Sequence, residues 1–87
     1  ERMKTRDELT VLFTSIGTAF KEFMSDESVS SDGFFDKFDA GTSIVREITQ
    51  DMDENHLATL MFNLVNSEAA RQQFYRDYNI PFVYAYT

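Results

Sequence analysis

Eighty-seven residues with no cysteine cannot use disulfide stapling, thiolate metal sites or a cysteine nucleophile. At 43% hydrophobic and 15% aromatic, with nine Phe and four Tyr, the chain has material for one small core and is too apolar for intrinsic disorder. The net charge is −7, and all of the excess falls in residues 26–54. There Asp26, Glu27, Asp32, Asp36, Asp39, Glu47, Asp51, Asp53 and Glu54 face only Lys37 and Arg46, nine against two. Such a segment repels phosphate backbones, which argues against direct nucleic-acid binding, and it attracts a basic partner or a cation.

The opening ERMKTRDELT is charged and lacks the apolar run of a signal peptide. No apolar stretch approaches the roughly 20 residues of a membrane helix. A cytoplasmic protein that does not engage membranes is therefore expected.

Helical periodicity organises the chain into an all-α fold. From about residue 6 to 25, Leu9, Leu12, Phe13, Ile16, Phe20, Phe23 and Met24 form one stripe at a period near 3.6. Thr5 is the candidate cap, with Asp7 and Glu8 in the first turn, where the helix dipole favours acids. Gly17 is a weak point in this helix unless a neighbour packs close to it. SDGFFDKFDAG predicts a short helix at about 32–40, capped by Asp32, with Phe34, Phe35 and Phe38 on one side and a stop at Gly41. Three more helices follow, at about 42–52 (Ile44, Val45, Ile48, Met52), 54–66 (Leu57, Leu60, Met61, Leu64; cap Asp53) and 67–78 (Ala70, Phe74, Tyr78; cap Ser67). The expectation is a compact bundle of four main helices and one short one, in a single domain over 1–87. The tail at 79–87 alternates Ile80, Phe82, Tyr84 and Tyr86 with smaller residues. It reads as an extended arm packed on the helices, or as a helix started at Pro81.

Two family resemblances follow from these residues. In DESVSSDGFFDKFD, placing Gly33 at the turn position of a twelve-residue calcium loop puts Ser28, Ser30, Asp32, the Phe34 carbonyl, Asp36 and Asp39 at its oxygen positions. The segment therefore resembles an EF-hand, which implies calcium ligation there. It departs from the pattern with Ser28 for the leading Asp and Asp39 for the bidentate Glu. The same residues also read as helix punctuation, with Asp32 as a cap, the serines as turns and the aspartates solvated. In HLATLMFNLVNSEAARQQFYRDYNIPFVYAY, Asn63-Leu64 and Asn79-Ile80-Pro81-Phe82-Val83 resemble the third helix of an armadillo repeat running into the next unit. DAGTSIVREI repeats a little of that pattern. The resemblance implies a fragment of a longer helical-repeat scaffold, since such repeats need about three units to bury their faces.

Catalytic constellations are lacking. His56 is the one histidine and stands beside Leu57 at a helix start. The carboxylate pairs Asp53 with Glu54 and Asp36 with Asp39 sit where caps and dipole partners sit. No glycine-rich phosphate loop, nucleophile motif or HExxH spacing occurs. A non-enzymatic protein-interaction or regulatory domain without cofactor or metal is expected. Its candidate contacts are Asp32, Asp36 and Asp39 toward a basic partner. At the aromatic C-terminal end they are Phe82, Tyr84 and Tyr86, with Arg71 and Arg76 nearby, as a self-associating surface that would make a homodimer. The same rings read equally well as closing the core from one end. The alternative is an acidic inhibitor of phage type that mimics nucleic acid and binds a basic nucleic-acid-binding protein.

Overall fold

The computed structural model of the chain describes residues 5–82. Four helices succeed one another: α1 (Arg6–Ser25), α2 (Asp32–Thr49), α3 (Glu54–Asn66) and α4 (Glu68–Asp77). The all-α expectation holds, and no strand occurs among the described residues.

Local chemistry places most of the helix starts. Thr5 and Glu8 form a reciprocal capping box. The Thr5 hydroxyl accepts from the Glu8 N–H, and the Glu8 carboxylate accepts from the Thr5 N–H at 2.9 Å. Asp53 Oδ2 accepts from the Asn55 and His56 N–H groups to start α3. Ser67 closes α3 by donating its N–H to the Asn63 carbonyl, and its hydroxyl accepts from the Ala70 N–H to open α4. One residue thus ends one helix and begins the next, which forces the two to pack as neighbours. Asp32 is not a cap as expected. It is the first residue of α2, Ser31 holds the cap position without a side-chain bond, and Ser30 Oγ accepts from the Asp32 N–H.

The expected break at Gly41 is not there. Residues 32–40 and 42–52 are not separate helices, because α2 runs unbroken through this glycine. The reason is tertiary. Gly41 is buried, and a Cβ at this position would lie 2.8 Å from Ile16 Cδ1 and 3.4 Å from Met61 Cε. The missing side chain admits α1 and α3 to the α2 backbone, and this packing offsets the roughly 1 kcal/mol that glycine costs inside a helix. The helix stops instead at Gln50 and Asp51, both left-handed at φ 62° and 65°, with the Asp51 N–H donating to the Arg46 carbonyl at 2.9 Å.

α1 and α2 form an antiparallel hairpin, with Ile16 against the Gly41 position and Phe20 against Phe34. α3 runs alongside in the direction of α1, with Val65 3.4 Å from where a Gly17 Cβ would be. The core is Leu9, Phe13, Ile16, Val45, Leu57, Met61, Leu64, Phe74, Tyr75 and Ile80. Fully burying one such side chain stabilises by roughly 1.5–3 kcal/mol.

After α4 the chain turns at Asn79 (φ 55°) and returns to the start of α1. Ile80 is buried and donates its N–H to the Tyr75 carbonyl. Arg6 ties the arm down. Its N–H donates to the Pro81 carbonyl at 2.8 Å and its Nε to the Ile80 carbonyl at 2.7 Å, and its guanidinium lies 4.2 Å over the Phe82 ring. Ile80, Pro81 and Phe82 thus pack on the start of α1 in neither helix nor strand. This is also where the armadillo resemblance places the opening of a further unit. Residues 83–87 lie outside the described part. Beside the arm, buried Tyr75 shares a 2.7 Å hydrogen bond with Thr10, and burial pushes its phenol above the ordinary range.

Three stability predictions rest on these contacts. Gly33 is exposed and a Cβ there meets nothing within 4 Å, so Gly33→Ala should raise the stability read from urea melts modestly, by up to about 1 kcal/mol. Gly41→Val should lower stability by about 1–3 kcal/mol through overpacking against Ile16; a gain at Gly41 would refute the close approach. For Tyr75, the unfolded phenol ionises at its ordinary 10.0 while the folded one stays protonated, so this contribution is complete below pH 10 and is lost as pH rises above it. Urea melts at neutral and alkaline pH should show part of the alkaline loss missing in Tyr75→Phe, with a cost near neutrality of about 1 kcal/mol from the Thr10 bond.

Candidate functional site

The register of α3 leaves one end of the molecule uncovered. With Val65 level with Gly17, α3 ends at Asn66 while α1 continues for about two turns, and α2 begins about two turns before the Gly41 crossing. No residue from Gly17 to Ala40 is buried. Yet this stretch holds Phe20, Phe23, Phe34, Phe35 and Phe38, five of the nine phenylalanines. Phe34 is the hub, its ring 5.3 Å from Phe20, 5.2 Å from Phe35 and 5.7 Å from Phe38. Phe34 and Phe38 pack on the edge of the core, whereas Phe20, Phe35 and Met24 are 45%, 52% and 65% exposed. Large exposed apolar surface is uncommon on small proteins unless something covers it.

The turn at the tip is built from its own side chains. Asp26 ends α1, and its carboxylate accepts from the Ser28 N–H at 3.0 Å and the Ser28 hydroxyl at 2.8 Å. Those two bonds hold the Asp26 carboxyl below the usual carboxylate range. The Val29 N–H donates to the Asp26 carbonyl, and the Phe35 N–H to Ser31, so six residues reverse the chain. Asp32, Asp36 and Asp39 follow at i, i+4 and i+7 on an exposed strip of α2 beside Phe35. Over residues 20–39 six acids (Glu22, Asp26, Glu27, Asp32, Asp36, Asp39) face two lysines (Lys21, Lys37), a local charge of −4.

The calcium loop that the EF-hand resemblance implies is not formed. Its last eight positions, Asp32–Asp39, are helical, which spreads their oxygens around and along α2. No group of three His, Asp or Glu that could hold a metal ion occurs among the described residues. The acidic excess of 26–54 also divides in two. Glu47, Asp51, Asp53 and Glu54 gather at the other end of α2, about 27 Å from Asp32 along an 18-residue helix.

The remaining candidates have structural occupations. His56 is exposed, with Nδ1 3.3 Å from the Asp53 oxygen that caps α3. Arg71 donates to the Leu64 carbonyl at 2.8 Å, closing the end of α3, and Arg76 donates to Gln73. Phe74 and Tyr75 are buried, and Tyr78 packs on Phe74 at 4.9 Å, so these rings close the core. Phe82 remains exposed under Arg6, while Tyr84 and Tyr86 lie outside the described residues. Two shallow depressions, one along α1 from Val11 to Glu22 beside Lys37 and one around Arg46 and Asp51, are open to solvent. Among the described residues no helix is long and apolar enough to cross a membrane.

Of the predicted contacts, the structure thus gathers Asp32, Asp36 and Asp39 on one strip and separates them from Phe82 by the length of α1. The sequence reading missed Phe20 and Phe35. The available signal was a mismatch in length: α1 runs 20 residues with its stripe reaching Met24, and α3 has 13 to cover it.

No family model, curated protein or solved structure gives a match to this chain.

If the tip rings do not belong to the core, Phe35→Ser should cost less than about 1 kcal/mol in urea melts. Phe13→Ala, in the core, should cost about 3–5 kcal/mol.

Proposed function

We propose that this protein is a non-enzymatic interaction module that binds another protein through the tip of the α1–α2 hairpin. The observation that carries the proposal is the run from Gly17 to Ala40, which exposes a linked set of phenylalanine rings and buries none of its residues. Large rings held on rigid helices supply binding area at little entropic cost, and exposed aromatic clusters are where interface energy concentrates. The acids beside them add orientation and speed of encounter more than affinity. Mimicry of nucleic acid is less favoured, because the acids form two groups at the ends of α2 and leave residues 40–46 between them without a carboxylate.

A second surface, at the C-terminal end, rests on Phe82, which is 63% exposed beneath the Arg6 guanidinium. It supports self-association, for which light scattering of the wild type and Phe82→Ala is the measure. A dimer lost in the variant supports it, and a monomer in both rejects it.

The main proposal is tested by immobilising the wild type and Phe20→Ser/Phe35→Ser and capturing proteins from the source cells. The expected outcome is a specific captured protein that the folded double variant loses by at least about tenfold. Equal capture by both would reject the tip as the binding surface.

A further inference from the structure

We infer that the occupant of the hairpin tip is an amphipathic helix of another protein, with a short apolar stripe flanked by Lys and Arg. The inference rests on the tip being the binding surface and adds the chemistry of its partner.

The form of the occupant follows from what already lies in the same groove. α3 is a helix seated on α1 and α2, with Val65 at Gly17 and Met61 at Gly41. Along α1, Phe20 and Met24 stand three and seven residues beyond Gly17, on the stripe that α3 covers. Along α2, Phe38 and Phe34 stand three and seven residues before Gly41 on the corresponding stripe. The groove therefore continues past Asn66 with aromatic walls, over about two helical turns. A helix laid end-on to α3 would bury Phe20, Met24 and Phe35 by the same packing that buries Ile16 and Val45.

The sign of the partner follows from charge. The tip carries −4 over residues 20–39, with Asp32, Asp36 and Asp39 along one flank of the rings and Glu22, Asp26 and Glu27 toward the turn. A second copy docked tip to tip would set −4 against −4, and an anionic lipid surface or a nucleic acid would meet the same repulsion. Lysines and arginines beside an apolar stripe meet attraction on the flank and apolar contact at the centre.

The test uses an 18-residue leucine–lysine amphipathic helical peptide, with a leucine–glutamate counterpart of the same pattern, titrated into the isotopically labelled protein. Shifts confined to residues 19–25 and 32–39 are expected with the lysine peptide and absent with the glutamate peptide. Its affinity should fall about tenfold or more between 50 and 500 mM salt, and again about tenfold in Asp36→Lys/Asp39→Lys. Phe20→Ser/Phe35→Ser should abolish binding. If the lysine peptide does not bind, binds elsewhere, or binds independently of salt and of the aspartates, the basic helix is overturned. The tip proposal still stands in that case if Phe20→Ser/Phe35→Ser loses the captured cellular partner, and falls with it if capture is unchanged. A dimer abolished by the same double variant would make a second copy the occupant and also overturn the inference.

Discussion

The close approach of α1 and α2 at Gly41 is the constraint on which the rest of the molecule depends. A glycine in the middle of a helix is a local liability, and here the liability is outweighed by contact. Ile16 lies where a side chain would otherwise stand, and Met61 of α3 reaches the same spot. This one point joins three helices. Because the glycine is consumed by packing, α2 does not end there, and the break is deferred to the left-handed pair Gln50 and Asp51. An unbroken α2 makes a long hairpin, and a long hairpin outruns the shorter α3. The exposed aromatic tip is thus a consequence of how far the helices extend, and not of any unusual residue at the tip itself.

The two ends of the molecule are chemically different as a result. At the start of α1, four helices and the returning arm converge. Arg6 gathers the Ile80 and Pro81 carbonyls and the Phe82 ring, Tyr75 and Thr10 satisfy one another, and the rings of Phe13, Phe74 and Tyr75 are enclosed. At the far end only two helices remain, and their rings rest on one another. Phe34 holds Phe20 and Phe35 through ring contacts, with one side turned to solvent and a carboxylate strip alongside. A small domain is short of core material. Of the five phenylalanines at this end, Phe34 and Phe38 rest on the edge of the core, while Phe20 and Phe35 stay exposed.

What could be read from the sequence was what local chemistry decides. The caps at Thr5, Asp53 and Ser67 are each set by residues within one turn, and all are found in place. Gly41 was misread because a glycine in a periodic segment has two meanings, stop or close approach, and the choice belongs to Ile16, 25 residues away in the chain. For the same reason Phe74 and Tyr75 are buried while Phe20 and Phe35 are exposed. Periodicity shows that Phe34, Phe35 and Phe38 share a side, but not whether another helix is long enough to meet it. Likewise the turn at Asn79 that folds Ile80 inward has no strong local signature. The acidic strip at Asp32, Asp36 and Asp39 was readable because spacing alone places it on one face.

Native-state hydrogen exchange, resolved by residue, tests the central claim most directly. The account predicts that amides of Phe13–Ile16 and Ile44–Ile48, beside the Gly41 crossing, exchange only through global unfolding. Amides of Phe20–Met24 and Phe34–Phe38 should exchange through local openings of distinctly lower free energy, since only two helices support them. Equal protection along the full length of α1 and α2 would contradict the account, because it would mean that the tip is part of the core.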